Sequence, residues 1–86
     1  MDVTLYRLTS TPRMIDVKVG STLREVLQTP GSGEAIGSPG VSVWEAVNGN
    51  LAALGTVRVD GIPNAGPDTQ VREGDVITIT PSVKGG

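Results

Sequence analysis

Apolar residues alternate with polar ones in four short stretches of the chain, and between the second and third the spacing changes. Val3, Leu5, Tyr6 and Leu8 predict a first strand over residues 3–8. Thr9-Ser10-Thr11-Pro12 then reads as a turn. Ile15, Val17 and Val19 alternate with Asp16 and Lys18, so this second strand has one buried and one wet face, and the pair forms a hairpin. Gly20-Ser21 ends it. Thr22-Leu23-Arg24-Glu25 matches a capping box, with Thr22 as N-cap and Glu25 reaching back. Leu23, Val26 and Leu27 stand at i, i+3 and i+4 and predict the apolar stripe of a helix, which Thr29-Pro30-Gly31 stops.

Thr29 to Gly40 breaks the pattern: four glycines, two prolines and two serines fall within twelve residues, which reads as a mobile loop. Ser42, with Glu45 three positions on, is a second capping signal. It opens a helix running from Val43 toward Leu54, which Gly49 should break or divide into two short turns. Trp44 is read as a packing anchor of this segment rather than a ligand platform. Val57 and Val59 alternate with Arg58 and Asp60 as a third strand, and Asp60-Gly61 is a turn pair. Pro63 and Pro67 keep the next stretch out of a sheet interior. Thr69-Gln70-Val71 fits either a short edge strand or a turn of helix. Glu73-Gly74-Asp75 turns into the last strand, Val76–Thr80, apolar enough to be central. The fold class is therefore α+β: one domain with a mixed sheet and a helix across one face. The expected core is Val3, Leu5, Ile15, Val17, Leu23, Val26, Leu27, Val57, Val59, Ile77 and Ile79.

Composition narrows the chemistry. Eighty-six residues hold one small core, and 37% hydrophobic residues with no phenylalanine make that core aliphatic. Histidine and cysteine are both absent, which removes imidazole bases, thiol nucleophiles, disulfides and the usual zinc ligands. No catalytic residue, no metal site and no bound cofactor is expected. Asp60 with Asp68, and Glu73 with Asp75, are read as turn formers and solvated charges rather than acid–base pairs. Gly31-Ser32-Gly33 and Gly37-Ser38-Pro39-Gly40 lack the lysine and the strand-loop-helix setting of a phosphate loop. A net charge of −2 with scattered cations gives no nucleic-acid stripe, and no stretch is long and apolar enough for a signal peptide or a membrane span, so the expected compartment is the cytoplasm.

The most informative segment is the last six residues, Pro81-Ser82-Val83-Lys84-Gly85-Gly86. Glycine is common in this chain, 12 of 86 residues, so the terminal pair alone carries little. Behind an apolar strand and a Pro-x-Val spacer it describes a slim tail delivered by a rigid strand. Without Cβ atoms such a tail can enter a narrow active site. The reading is a chain that performs no chemistry itself and offers its terminal carboxylate to a partner, which would use ATP to activate it as an acyl-adenylate or a thioester. Residues 82–86 are expected to be a flexible tail beyond a domain of residues 1–81, and mobility should concentrate there and in residues 29–40.

Three segments in order carry a resemblance to a family. Val71-Arg72-Glu73-Gly74-Asp75-Val76-Ile77-Thr78-Ile79-Thr80-Pro81-Ser82-Val83-Lys84-Gly85-Gly86 resembles the C-terminal third of the small ubiquitin-like sulfur carriers, such as the molybdopterin synthase small subunit and the thiamine sulfur carrier. Gly20 to Leu27 looks like the family's strand-to-helix junction, and Val57-Arg58-Val59-Asp60-Gly61 like its middle strand; together they span about half the chain. The resemblance implies a ubiquitin-like β-grasp fold and a Gly86 carboxylate that a separate enzyme adenylates, with Gly85 as the slim approach. Pro81, Ser82, Val83 and Lys84 would be the tail threaded into the partner. It also implies a further partner, a sulfur acceptor or synthase subunit in cofactor, thiamine or thionucleoside biosynthesis. Three features depart from the pattern: the longer, glycine-rich stretch from Thr29 to Thr56, Ile79-Thr80 in place of a bulky aromatic before the proline, and Lys84 at a usually small position. Ubiquitin-type modifiers often carry a basic residue there. Conjugation to a protein through Gly86, or a non-covalent module that uses a sheet face or edge near Tyr6 and Leu8, are the alternatives.

Overall fold

A computed structural model describes residues 1–8 and 10–81 of the chain. Four strands form one mixed sheet in the order β2-β1-β4-β3. They are β1 (Asp2–Arg7), β2 (Arg13–Asp16), β3 (Thr56–Val59) and β4 (Val76–Thr80). β1 pairs antiparallel with β2 and parallel with β4, and β3 pairs antiparallel with β4. The last strand is therefore central, as its apolar run requires: Ile77 and Ile79 are fully buried between neighbours on both sides. Each such side chain withdrawn from water contributes about 1.5–3 kcal/mol.

Pleating sends Val3, Leu5, Ile15, Val57, Val59, Ile77 and Ile79 to one face of the sheet, and all are buried. The short helix α1 (Leu23–Gln28) adds Leu23, Val26 and Leu27 to the same core cluster. Glu25 accepts a hydrogen bond from the Thr22 N–H at 3.2 Å, the backward reach of the capping box. Two further N–H groups at the start of α1 find backbone partners: Leu23 donates to the Thr69 carbonyl (2.7 Å) and Arg24 to that of Pro67 (3.0 Å). Helix starts leave such donors unpaired, so the proline-rich 62–71 stretch closes this helix end. Its Thr69-Gln70-Val71 portion makes one isolated bridge, Thr22 with Gln70, rather than a strand or a helical turn. Val71 is buried.

Asp60-Gly61 turns as its residue types require, with φ of 51° and 84°. Positive φ at both central positions is what a type I′ hairpin turn demands. Val59 and Ile62 exchange two hydrogen bonds across it.

The structure corrects two expectations. The second strand stops at Asp16: a turn in which Ser21 N–H bonds the Lys18 carbonyl takes the chain off the sheet, leaving Val17 half-buried and Val19 86% exposed. The segment expected to be a mobile loop contains a 3-10 helix, Ser32–Ile36, with Ser32, Gly33 and Ala35 buried. The helix expected from Val43 toward Leu54 is α2 (Val43–Ala46) and a separate 3-10 turn, Leu51–Leu54, with the break falling around Gly49 as its cost predicted. Ala35, Val43, Leu54 and Val71 join the core beyond the expected set.

The glycine-rich segment is held by two residues. The buried Ser32 hydroxyl donates to the Leu27 carbonyl and accepts from the Val43 N–H, each at 3.0 Å, tying the end of α1 to the start of α2. Gly33 lies so close to the backbone of Ser38 and Val41 that a Cβ there would meet both carbonyl oxygens inside 3.0 Å. Trp44 packs against the core as expected, with the Arg24 guanidinium 5.5 Å from its ring centroid.

Ser32→Ala should lower stability by about 1–3 kcal/mol, because it leaves the Val43 N–H buried without a partner. Gly33→Ala should cost about as much through backbone displacement. Urea unfolding of both variants checks this; midpoints equal to that of the unmodified chain would show that the segment is not held as described.

Candidate functional site

Of the predicted site residues, Pro81 lies among the described residues and Ser82, Val83, Lys84, Gly85 and Gly86 lie outside them. Pro81 is exposed and directly follows β4. The end of β4 is held on both sides: Ile79 O accepts from Leu8 N–H at 3.1 Å, and Thr80 is registered with Thr56 of β3. The chain therefore reaches Pro81 from the middle of the sheet, with β1 on one flank and β3 on the other.

The sheet face opposite α1 is open. Register aligns Met14, Thr4 and Val76 in one row across it, and Tyr6, Thr78 and Arg58 in the next. Leu8 continues the alternation just past β1. Met14 is 71% exposed, Leu8 47% and Val76 37%. Four apolar side chains, counting the half-buried Tyr6, thus stand among threonines on a face that leads toward Pro81. Tyr6 and Leu8 were named from sequence. Met14 and Val76 were not, although strict alternation from Ile15 and Ile77 puts both on the wet face.

The carboxylates singled out as turn formers act as such. Asp75 Oδ2 accepts from Arg72 N–H at 2.8 Å, and Glu73 Oε2 from Asp2 N–H at 2.7 Å, which ties the turn before β4 to the start of β1. Asp68 faces Arg24 at 3.5 Å on the surface. Asp60 occupies its turn. The Gly31-Ser32-Gly33 stretch is not free to cradle a phosphate, since the N–H groups of Ser32 and Gly33 already donate to the Thr29 and Val41 carbonyls. Among the described residues no three acidic groups gather as a metal site requires, and no helix is long and apolar enough to cross a membrane.

No family model, curated protein or solved structure matches the chain.

The open face holds up no part of the core, so Met14→Thr should change unfolding free energy by no more than about 0.5 kcal/mol. A large loss in chemical denaturation would mean that Met14 is covered in the folded protein.

Proposed function

We propose that the chain is a ubiquitin-like β-grasp carrier whose Gly86 carboxylate, native or exposed by processing, is activated by a separate ATP-using enzyme for sulfur transfer. The observation that carries this reading is the position of β4. A central strand, parallel to β1 and paired on both sides, leads into Pro81-Ser82-Val83-Lys84-Gly85-Gly86. A mixed sheet with a parallel central pair and a helix across one face is the arrangement a β-grasp requires, which supports the fold assignment.

In the proposed reaction the Gly86 carboxylate oxygen attacks the α-phosphorus of ATP, forming an acyl-adenylate and releasing pyrophosphate. A sulfide-level sulfur nucleophile then displaces AMP and leaves a thiocarboxylate. The partner supplies ATP, metal and catalytic groups. This chain supplies docking and alignment, which lower the entropic cost of bringing a weak nucleophile to the phosphorus. The open face with Tyr6, Leu8, Met14 and Val76 is the surface on which the folded domain would dock while Gly85 and Gly86 enter the active site. The same carboxylate could instead be joined to a lysine of a target protein.

The exposed apolar face also supports a second reading, a non-covalent interaction module for which the terminal glycines are dispensable.

Intact-mass measurement on protein from its native host should show a fraction in which one terminal oxygen is replaced by sulfur. Deletion of Gly86, or Gly85→Val, should abolish that species with the fold unchanged. A Gly-Gly remnant on lysines of other proteins would assign conjugation instead. Full function of the Gly86 deletion in the host would remove both covalent readings and leave the interaction module.

A further inference from the structure

The chain past β3 folds back along that strand. Ala65 N–H donates to the Val57 carbonyl at 3.0 Å, and Ile62 pairs with Val59. Between this return and the 69–75 connection lies a cleft of about 350 Å³. Val59, Ile62 and Pro63 give it an apolar lining, and Asp60, Gln70 and Arg72 a polar one. Ile62 is 70% exposed. Asp60 and Arg72 are exposed too, and among the described residues neither side chain makes an ion pair. Asp75 also lines the cleft, but its Oδ2 already accepts from the Arg72 N–H at 2.8 Å. Thr69 and Val71 commit backbone groups to Leu23 and Ser21, so the N–H of Gln70, between them, turns the other way. One carboxylate, one guanidinium and one unpaired backbone donor thus stand beside an apolar surface.

We propose that this cleft takes the C-terminal tail of a second copy of the chain. The tail carries the complementary groups in sequence, Val83-Lys84-Gly85-Gly86. The Gly86 carboxylate accepts from the Arg72 guanidinium and the Gln70 N–H. Lys84, two residues back, faces Asp60, and Val83 rests on Ile62. Gly85 has no side chain to hold the backbone away from the cleft. The inference rests on a free Gly86 carboxylate, as the carrier reading requires. Reach excludes the chain's own tail. The cleft adjoins Asp75, just before β4, whereas Pro81 follows the last residue of β4, and each step along the strand rises about 3.4 Å. Six steps separate Pro81 from Asp75 and three separate it from Lys84, so the chain's own Lys84 falls three steps short. A tail-to-cleft contact is heterologous and repeats from copy to copy. It withholds Gly86 from the activating enzyme where the chain is concentrated and releases it on dilution. Few groups take part, so the contact is weak.

The probe is the N-acetylated peptide Ser-Val-Lys-Gly-Gly with a free carboxylate. Titrated into the dilute, full, isotope-labelled chain, it should shift the amide resonances of Asp60, Ile62, Gln70 and Arg72. Concentrating the chain without peptide should move the same resonances in the same direction and slow its translational diffusion. Amidating the peptide's carboxylate, or replacing its lysine by glutamate, should weaken binding roughly fivefold. Arg72→Gln, and Asp60→Asn, which tolerates the positive φ of the turn, should each do the same to the unmodified peptide. Unchanged Leu5 and Ile77 resonances verify the fold of both variants. The proposal is overturned if millimolar peptide leaves the four amides unmoved, or if the amidated or glutamate peptide binds as well as the original. It is also overturned if concentrating the chain moves none of these resonances, since the cleft would then belong to an occupant other than a second copy. The carrier reading is judged by the mass of the terminus and this contact by peptide binding, so either can fail alone.

Discussion

The parallel pairing of β1 with β4 is the contact on which the rest of the structure depends. Thr4 meets Val76 and Arg7 meets Ile79 across about seventy residues of intervening chain. Nothing local holds these strands together. The β1–β2 hairpin can form early, but its inner face stays exposed until β4 arrives with Ile77 and Ile79. The turn before β4 is fixed to the beginning of β1 through Glu73 Oε2 and through the bond from Gly74 N–H to the Asp2 carbonyl at 2.8 Å. Because this long-range register must be found before most apolar surface is buried, folding is expected to be slower than in a helical protein of equal length.

The connection that makes this pairing possible is itself organised in two halves. From Gln28 to Gly55 the chain builds a small structured cap, with Ser32 joining α1 to α2 and Ala35, Val43 and Leu54 extending the core. From Asp60 to Val71 it closes the β3 edge and then satisfies the first N–H groups of α1. A proline-rich stretch that cannot enter a sheet interior still contributes its carbonyls, since proline loses a donor and keeps an acceptor.

Where local chemistry decides the structure, the sequence was legible. Val57 with Val59 and Ile77 with Ile79 alternate, and both pairs face the core. Thr22 with Glu25 and Asp60 with Gly61 bring their own hydrogen-bonding or φ preferences, and each sits where these predict. The misread segment was 29–40, where the deciding partners are distant. Ser32 is buried because Leu27 and Val43 present a carbonyl and an N–H to it, and Gly33 is glycine because the backbone at Val41 returns against it. Neither fact has a trace in the local pattern, which looks the same as in a solvated linker. Of the candidate tail, Pro81 alone falls within the described residues. Its setting is legible from the apolar run before it; alternation also puts Met14 and Val76 on the wet face, but that they lie in one row across Thr4 depends on the pairing of distant strands.

Trp44 is the chain's one tryptophan, and it lies at the junction of α1 and α2 rather than in the sheet. An arginine cation stands over its ring, and the ring presses so closely on Gly49 that a Cβ there would lie 3.2 Å from it. Its emission is therefore a local spectroscopic reporter. It reads the docking of the 29–54 cap, while the far-ultraviolet dichroism of the strands reads the sheet. If the two signals separate during unfolding, the cap and the sheet are distinct cooperative units; if they coincide, the hydroxyl of Ser32 and its neighbours bind them into one.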